Sequence, residues 1–161
     1  MLMVVLLFQL LQAPGQESPI NPACQRVLPA TLVGRIAGAA RVHLLPPNPA
    51  TGATGTCNYA LAGDTLLVSV TISRSSHTMQ QFAAAKAGSI GLRNQQAVSD
   101  LGDEAFTYGL YGEDLLARRG NVLVGVTTFS RNSRRPDRAL GPPRLSRDQL
   151  IRVAREVLTR S

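Results

Sequence analysis

Residues 57–73 read CNYALAGDTLLVSVTIS, and the alternation in this stretch decides the fold class. Cys57, Tyr59 and Leu61 fall on one face of a strand, and Leu66, Val68, Val70 and Ile72 fall on one face of the next. A period of two residues is the mark of a strand with one buried side. Ala62-Gly63-Asp64 supplies the tight connection between the two. Leu67, Ser69, Thr71 and Ser73 point to the opposite face, a mixed surface that suits an antiparallel sheet with only one side fully buried.

Toward the C-terminus the strand pattern returns over 104–110, 115–118 and 122–129, with Val122, Val124 and Val126 on one face and Arg119-Gly120-Asn121 as a hairpin turn. Between the two groups of strands Ser76 caps a helix in which Met79, Phe82 and Ala83 form the expected core stripe, ended by Gly88. The last helix is the best specified. Ser146 and Gln149 have the spacing of a capping box, Leu145 and Leu150 that of a hydrophobic staple, and Leu150, Ala154, Val157 and Leu158 make a buried stripe. Asp148 and Arg152, then Arg152 and Glu156, are spaced for exposed ion pairs. Toward the N-terminus, Asn21 caps a short helix with Pro22 at its first position, Pro29 restarts it, and Gly38 closes the second segment. A strand over 41–45 follows, and a loop rich in Pro, Gly, Ala and Thr leads on to Gly55. The expectation is an α+β fold, an antiparallel sheet of about five strands with flanking helices.

Cys24 and Cys57 are the only cysteines. They stand behind an apolar start in which Gln9 is the one polar residue between Leu2 and Leu11, followed by Ala13-Pro14-Gly15 at the spacing a signal peptidase reads. Residues 1–15 are thus expected to be a signal peptide and 16–161 a single secreted domain, with its core at about 21–160. The run is well short of the roughly 20 residues that span a bilayer as a helix. No Lys or Arg precedes Arg26, so the positive charge ahead of the apolar run comes from the terminal amine or from residues upstream of Met1. Pro22 argues against Cys24 as a lipidated first residue. An even count of two in an oxidising compartment then expects one disulfide, Cys24 to Cys57. Two unpaired core thiols would belong to a cytosolic chain.

The net charge is +7, carried by sixteen arginines and one lysine. Such a balance favours anionic surfaces or polymers as partners and says nothing of fold. The length suits one domain, and no internal repeat divides it.

Four local motifs recur in a familiar order: Asn21-Pro22-Ala23-Cys24 opening a helix, Cys57-Asn58-Tyr59 opening a strand, Leu101-Gly102-Asp103-Glu104-Ala105-Phe106 before a hairpin, and Arg118-Arg119-Gly120-Asn121-Val122 within it. Over residues 21–160 the chain resembles the small secreted or lipoprotein domains of unknown function common in actinobacteria, which are similar to the extracellular sensor domain of a mycobacterial serine/threonine kinase. That resemblance implies an antiparallel sheet with flanking helices and a ligand- or partner-binding role outside the cell, without established catalysis.

Signatures of catalysis are lacking. His43 and His77 are the only histidines and share no metal-ligand spacing, so each is expected to be structural or on the surface. No Gly-x-Ser-x-Gly elbow, His-Glu-x-x-His, phosphate loop or dinucleotide fingerprint occurs, and a disulfide removes both thiols as nucleophiles. A hydrolytic enzyme is left as a residual reading, and no cofactor is expected. Asp100, Asp103 and Glu104 form one acidic knot, read as a turn entering a strand because the ligand ladder of a calcium loop is missing. Arg131, Arg134, Arg135 and Arg138, continued by Arg144 and Arg147, form a basic loop that could bind anions, while a solvated surface is its plain reading. With no aromatic beyond Phe129 to stack on bases, nucleic acid is not the expected partner, and wall polymer or lipid headgroups suit an exported chain better. The expected function is a secreted, non-catalytic binding or sensor-like module for a small ligand or an extracellular protein, its site in a groove between sheet and helices. The alternative is electrostatic attachment to anionic wall polymer or a membrane surface through the arginine-rich loop 131–147.

Overall fold

A computed structural model describes residues 22–47, 55–88, 94–129 and 143–161. The signal peptide expected over 1–15, the Asn21 cap and Arg131, Arg134, Arg135 and Arg138 lie outside the described residues. In chain order the elements are α1 (Pro22–Val27), α2 (Ala30–Ala37), β1 (His43–Leu44), β2 (Thr56–Leu61), β3 (Thr65–Arg74), α3 (Thr78–Gly88), β4 (Gln96–Ala97), β5 (Glu104–Tyr108), β6 (Asp114–Arg119), β7 (Val122–Thr128) and α4 (Arg147–Arg160). The fold is α+β. Its sheet has seven strands in the order β1-β2-β3-β7-β6-β5-β4, every neighbouring pair antiparallel.

Seven strands stand where about five were expected: the edge strand β1 falls within the strand expected over 41–45, whereas the other edge, β4, is a pair of residues too short to show periodicity and was not anticipated. At one edge β1 holds to β2, and at the other β4 holds to β5. Pro29 separates α1 from α2. Its backbone is extended at ψ 141°, and its carbonyl accepts from Leu32 N and Val33 N to start the second helix.

Cys57 and Tyr59 on β2, Val68 and Val70 on β3, Val124 and Val126 on β7, and Leu115 and Ala117 on β6 are all buried on the face that carries α1, α2 and α4. Leu150, Val153, Ala154, Val157 and Leu158 of α4 fill this core across β6 and β7. Each fully buried side chain of this size contributes about 1.5 to 3 kcal/mol, so the stripe is the largest apolar anchor any helix brings. The capping box forms as the spacing predicts: Ser146 Oγ accepts from Gln149 N, and Gln149 Oε1 accepts from Ser146 N at 2.8 Å. Gln149 Nε2 also donates to Ile36 O, joining α4 to α2. Cys24 and Cys57 form the disulfide, both buried, and so tie α1 to the core face of β2. Tyr59 donates its hydroxyl to Leu28 O at 2.6 Å, and burial pushes its phenol well above the usual tyrosine range.

Three local expectations are corrected. Leu67 is buried rather than on the mixed face, because Tyr59 pairs with Val68 while Ala60 pairs with Leu66, leaving Leu67 as the extra residue of a bulge. Met79 is 62% exposed and Ala83 is exposed as well; of α3 only Thr78 and Phe82 are buried. The reason is register. Ala105 opposes Ala117 on the α4 side, so Phe106, opposite Leu116, points to the other face, where Phe82 meets it edge-on at 5.3 Å. Phe106 in turn meets Tyr108 at 5.4 Å, and α3 is held against this small aromatic cluster and, at its start, by the buried Thr78, whose Oγ1 donates to Asn121 O at 2.9 Å. Finally, Glu156 pairs with Arg160 at 3.2 Å instead of Arg152, and Asp148 makes no ion pair with Arg152.

Candidate functional site

The acidic knot and the hairpin motif meet. Asp103 Oδ2 accepts from Gly120 N at 2.8 Å and from Arg118 Nη1 at 3.1 Å, while Asp103 N donates to Arg118 O at 2.7 Å. Arg118 Nη2 lies 3.7 Å from Glu104 Oε2. Gly102, at φ 67°, lets the backbone pass so close that a Cβ there would stand 2.4 Å from Arg118 O. Leu101-Gly102-Asp103-Glu104 is therefore a latch on the β6–β7 turn, and two of the three carboxylates of the acidic knot are occupied holding the hairpin. The third, Asp100, is turned elsewhere.

Asp100 sits in the left-handed region at φ 58°, a conformation aspartate tolerates better than most residues. With Ala97, Val98 and Ser99 it forms one wall of a groove of about 580 Å³. The other wall is α4, through Arg147, Asp148, Ile151, Arg152 and Arg155. Arg147, Ile151 and Arg155 recur every fourth residue, and Asp148 and Arg152 lie beside them, so a single helix face supplies the whole wall. The volume falls within the range of small-molecule sites, about 300 to 1,000 Å³.

Arg147 is fixed in place. Its Nε donates to Thr107 Oγ1 at 3.3 Å and its Nη2 to Ala97 O at 3.1 Å. Thr107 is buried in β5, and in the antiparallel register Ala97 O points outward from the edge strand β4. The guanidinium thus caps a carbonyl on which a foreign strand could otherwise pair. Arg152 and Arg155 are exposed, and among the described residues neither guanidinium has an ion-pair partner.

Of the residues singled out in the sequence, His43 lies on the surface with Nε2 2.8 Å from Asp64 Oδ1, and His77 is exposed at the start of α3. Of the basic stretch, Arg144 donates its backbone N–H to Phe129 O, and Arg147 reaches the groove. Sequence reasoning expected a groove between sheet and helices and did not name its residues. Arg152 and Arg155 were visible only as the polar flank of an amphipathic helix, and nothing in Gln96–Ala97 announces a strand opposite them. Among the described residues no helix is long and apolar enough to cross a membrane, and the formed disulfide suits an oxidising, extracytoplasmic environment. No protein-family model, no curated protein and no solved structure matches this chain.

Proposed function

We propose that this chain is an exported, non-catalytic binding or sensor-like module whose ligand seats in the groove between α4 and residues 97–100. The observation that carries the reading is the groove itself, where a fixed guanidinium, Arg147, stands beside Asp100, Arg152 and Arg155, which make no ion pair among the described residues. Its walls hold Arg, Asp, Ser and apolar side chains, without the nucleophile and base that acyl or phosphoryl transfer would require within hydrogen-bond reach of each other. Recognition is the chemistry these side chains offer. The disulfide supports export through a signal peptide at 1–15, and the order of the four motifs supports kinship with secreted actinobacterial domains of the sensor type.

Attachment to an anionic polymer or membrane surface is the second reading, favoured by Arg152 and Arg155, which add unpaired positive charge on the helix that follows the arginine-rich stretch. Backbone amide shifts of the disulfide-intact protein separate the two. Titration with a mixture of small polar compounds is expected to shift amides at 97–100 and 147–155 saturably. Shifts spread over the surface, induced equally by polyanions and erased by salt, would replace the groove with diffuse attachment, since exposed contacts are screened beyond about 10 Å at 0.1 M ionic strength.

A further inference from the structure

The charges in the groove are of both signs and do not neutralise one another. Asp148 and Arg152 are one helical turn apart, the spacing at which such pairs form, yet among the described residues the ion pair that α4 makes is Glu156 with Arg160. Asp100 on the facing wall also has no ion-pair partner among the described residues. Carboxylates and guanidiniums lining one cleft without pairing are set for a ligand that brings its own opposite charges. Arg147 cannot close the gap, because Thr107 Oγ1 and Ala97 O hold it against the edge strand.

Resting on the reading of this groove as a ligand site, we propose that it takes a small zwitterion, its acidic group on Arg152 and Arg155 and its ammonium on Asp100. Arginine suits the acidic end, because its planar donors match a carboxylate or a phosphate in pairs. Asp100 suits the ammonium, since an ionised carboxylate offers acceptors alone. Val98 and Ile151 line the same groove and give the ligand's carbon skeleton an apolar surface. Asp148, at the first turn of α4, disfavours a second acidic group near Arg147 and so orients the ligand. A purely anionic ligand would meet two carboxylates with nothing to offer them. A neutral one would leave every charge in the groove unanswered.

The test uses three probes on the disulfide-intact protein, followed by amide shifts: alanyl-alanine, its N-acetyl derivative, and ethanolamine phosphate. Alanyl-alanine is expected to shift amides at 97–100 and 151–155 saturably, and N-acetylation to weaken it about tenfold, the effect of one lost charge-assisted contact. Asp100→Asn should weaken alanyl-alanine by a similar factor and leave the acetylated form unchanged, whereas Arg152→Gln with Arg155→Gln should weaken both. Tighter binding of ethanolamine phosphate than of the dipeptide assigns the acidic end to a phosphate headgroup, and the reverse order assigns it to a peptide or amino-acid carboxylate. Equal binding of the acetylated and free dipeptides overturns the ammonium contact. If the polar mixture saturates the groove while neither zwitterion shifts it, the groove stands and the zwitterion falls; if nothing shifts it, both fall.

Discussion

At the scale of single residues, the positions that carry the hairpin are those where a side chain or its absence decides whether two backbones can touch. Gly102 is such a position, as the carbonyl of Arg118 fills the space a Cβ would occupy and the residue's φ is positive. Gly102→Ala therefore meets both a clash and an unfavourable backbone region, and should cost about 2 to 4 kcal/mol. Asp103→Ala, which leaves Gly120 N–H and Arg118 without their acceptor at a half-exposed site, should cost about 1 kcal/mol. Chemical denaturation of the two variants gives the comparison, and a Gly102→Ala variant as stable as wild type would show that the latch can loosen without loss. From sequence alone Leu101-Gly102-Asp103-Glu104 is legible as a turn entering a strand. Its partner is not, because the contact with Arg118 and Gly120 joins residues more than a dozen apart through backbone geometry that no local pattern records.

Among elements, legibility follows how much of the pattern a segment contains. β2, β3 and α4 carry several periods of alternation or of the helical stripe together with their caps, and they form where the pattern places them. β4, two residues long, carries none, and with it goes the wall of the groove. α3 shows a different limit. Helical spacing alone gives no means of deciding which of Met79, Phe82 and Ala83 meets the sheet, since an alanine-rich helix has no strongly apolar side to orient it. Phe82 is its one large buried side chain, packed on Phe106. An isolated helix of this length is marginal in water, so its order depends on that contact together with the hydrogen bond of Thr78 Oγ1 to Asn121 O. Phe82→Ala should cost about 3 to 4 kcal/mol and release α3 first, whereas Met79→Ser should be nearly neutral. Amide hydrogen exchange reads this directly: loss of protection confined to 78–88 is the expected result, and equal loss across α4 would mean that the aromatic cluster supports the main core as well.

For the molecule as a whole, the two faces of the sheet are held differently. One bears the shared core of α1, α2 and α4, and the other bears α3, whose Phe82 packs on Phe106 beside Tyr108 and whose Thr78 donates to Asn121 O. The N-terminal helices join the shared core through Leu28, Val33 and Ile36, through Gln149 to Ile36 O, and through the bridge from Cys24 to Cys57. That bridge was readable from two facts, an even cysteine count and a Cys57 placed on the inward face of a strand by its alternation, and both are properties of sequence. What it does for the fold is a matter of loop length. The cysteines are separated by 33 positions, and closing a loop of that size removes disorder from the unfolded chain worth about 3 to 4 kcal/mol. Because the helices it tethers share one core with α4 and the sheet, losing the bridge should lower the melting temperature of the whole, by roughly 10 to 20 °C, in a single transition. Cys24→Ala with Cys57→Ala is the variant to melt, since a single replacement leaves a buried thiol of its own. Calorimetry on it should show one peak displaced downward, with α1 and α2 retaining their packing below it through Tyr59 and Leu28. Two separate transitions would mean instead that the N-terminal helices are a unit held on by the disulfide alone, and an undisplaced peak that the packed core needs no tether.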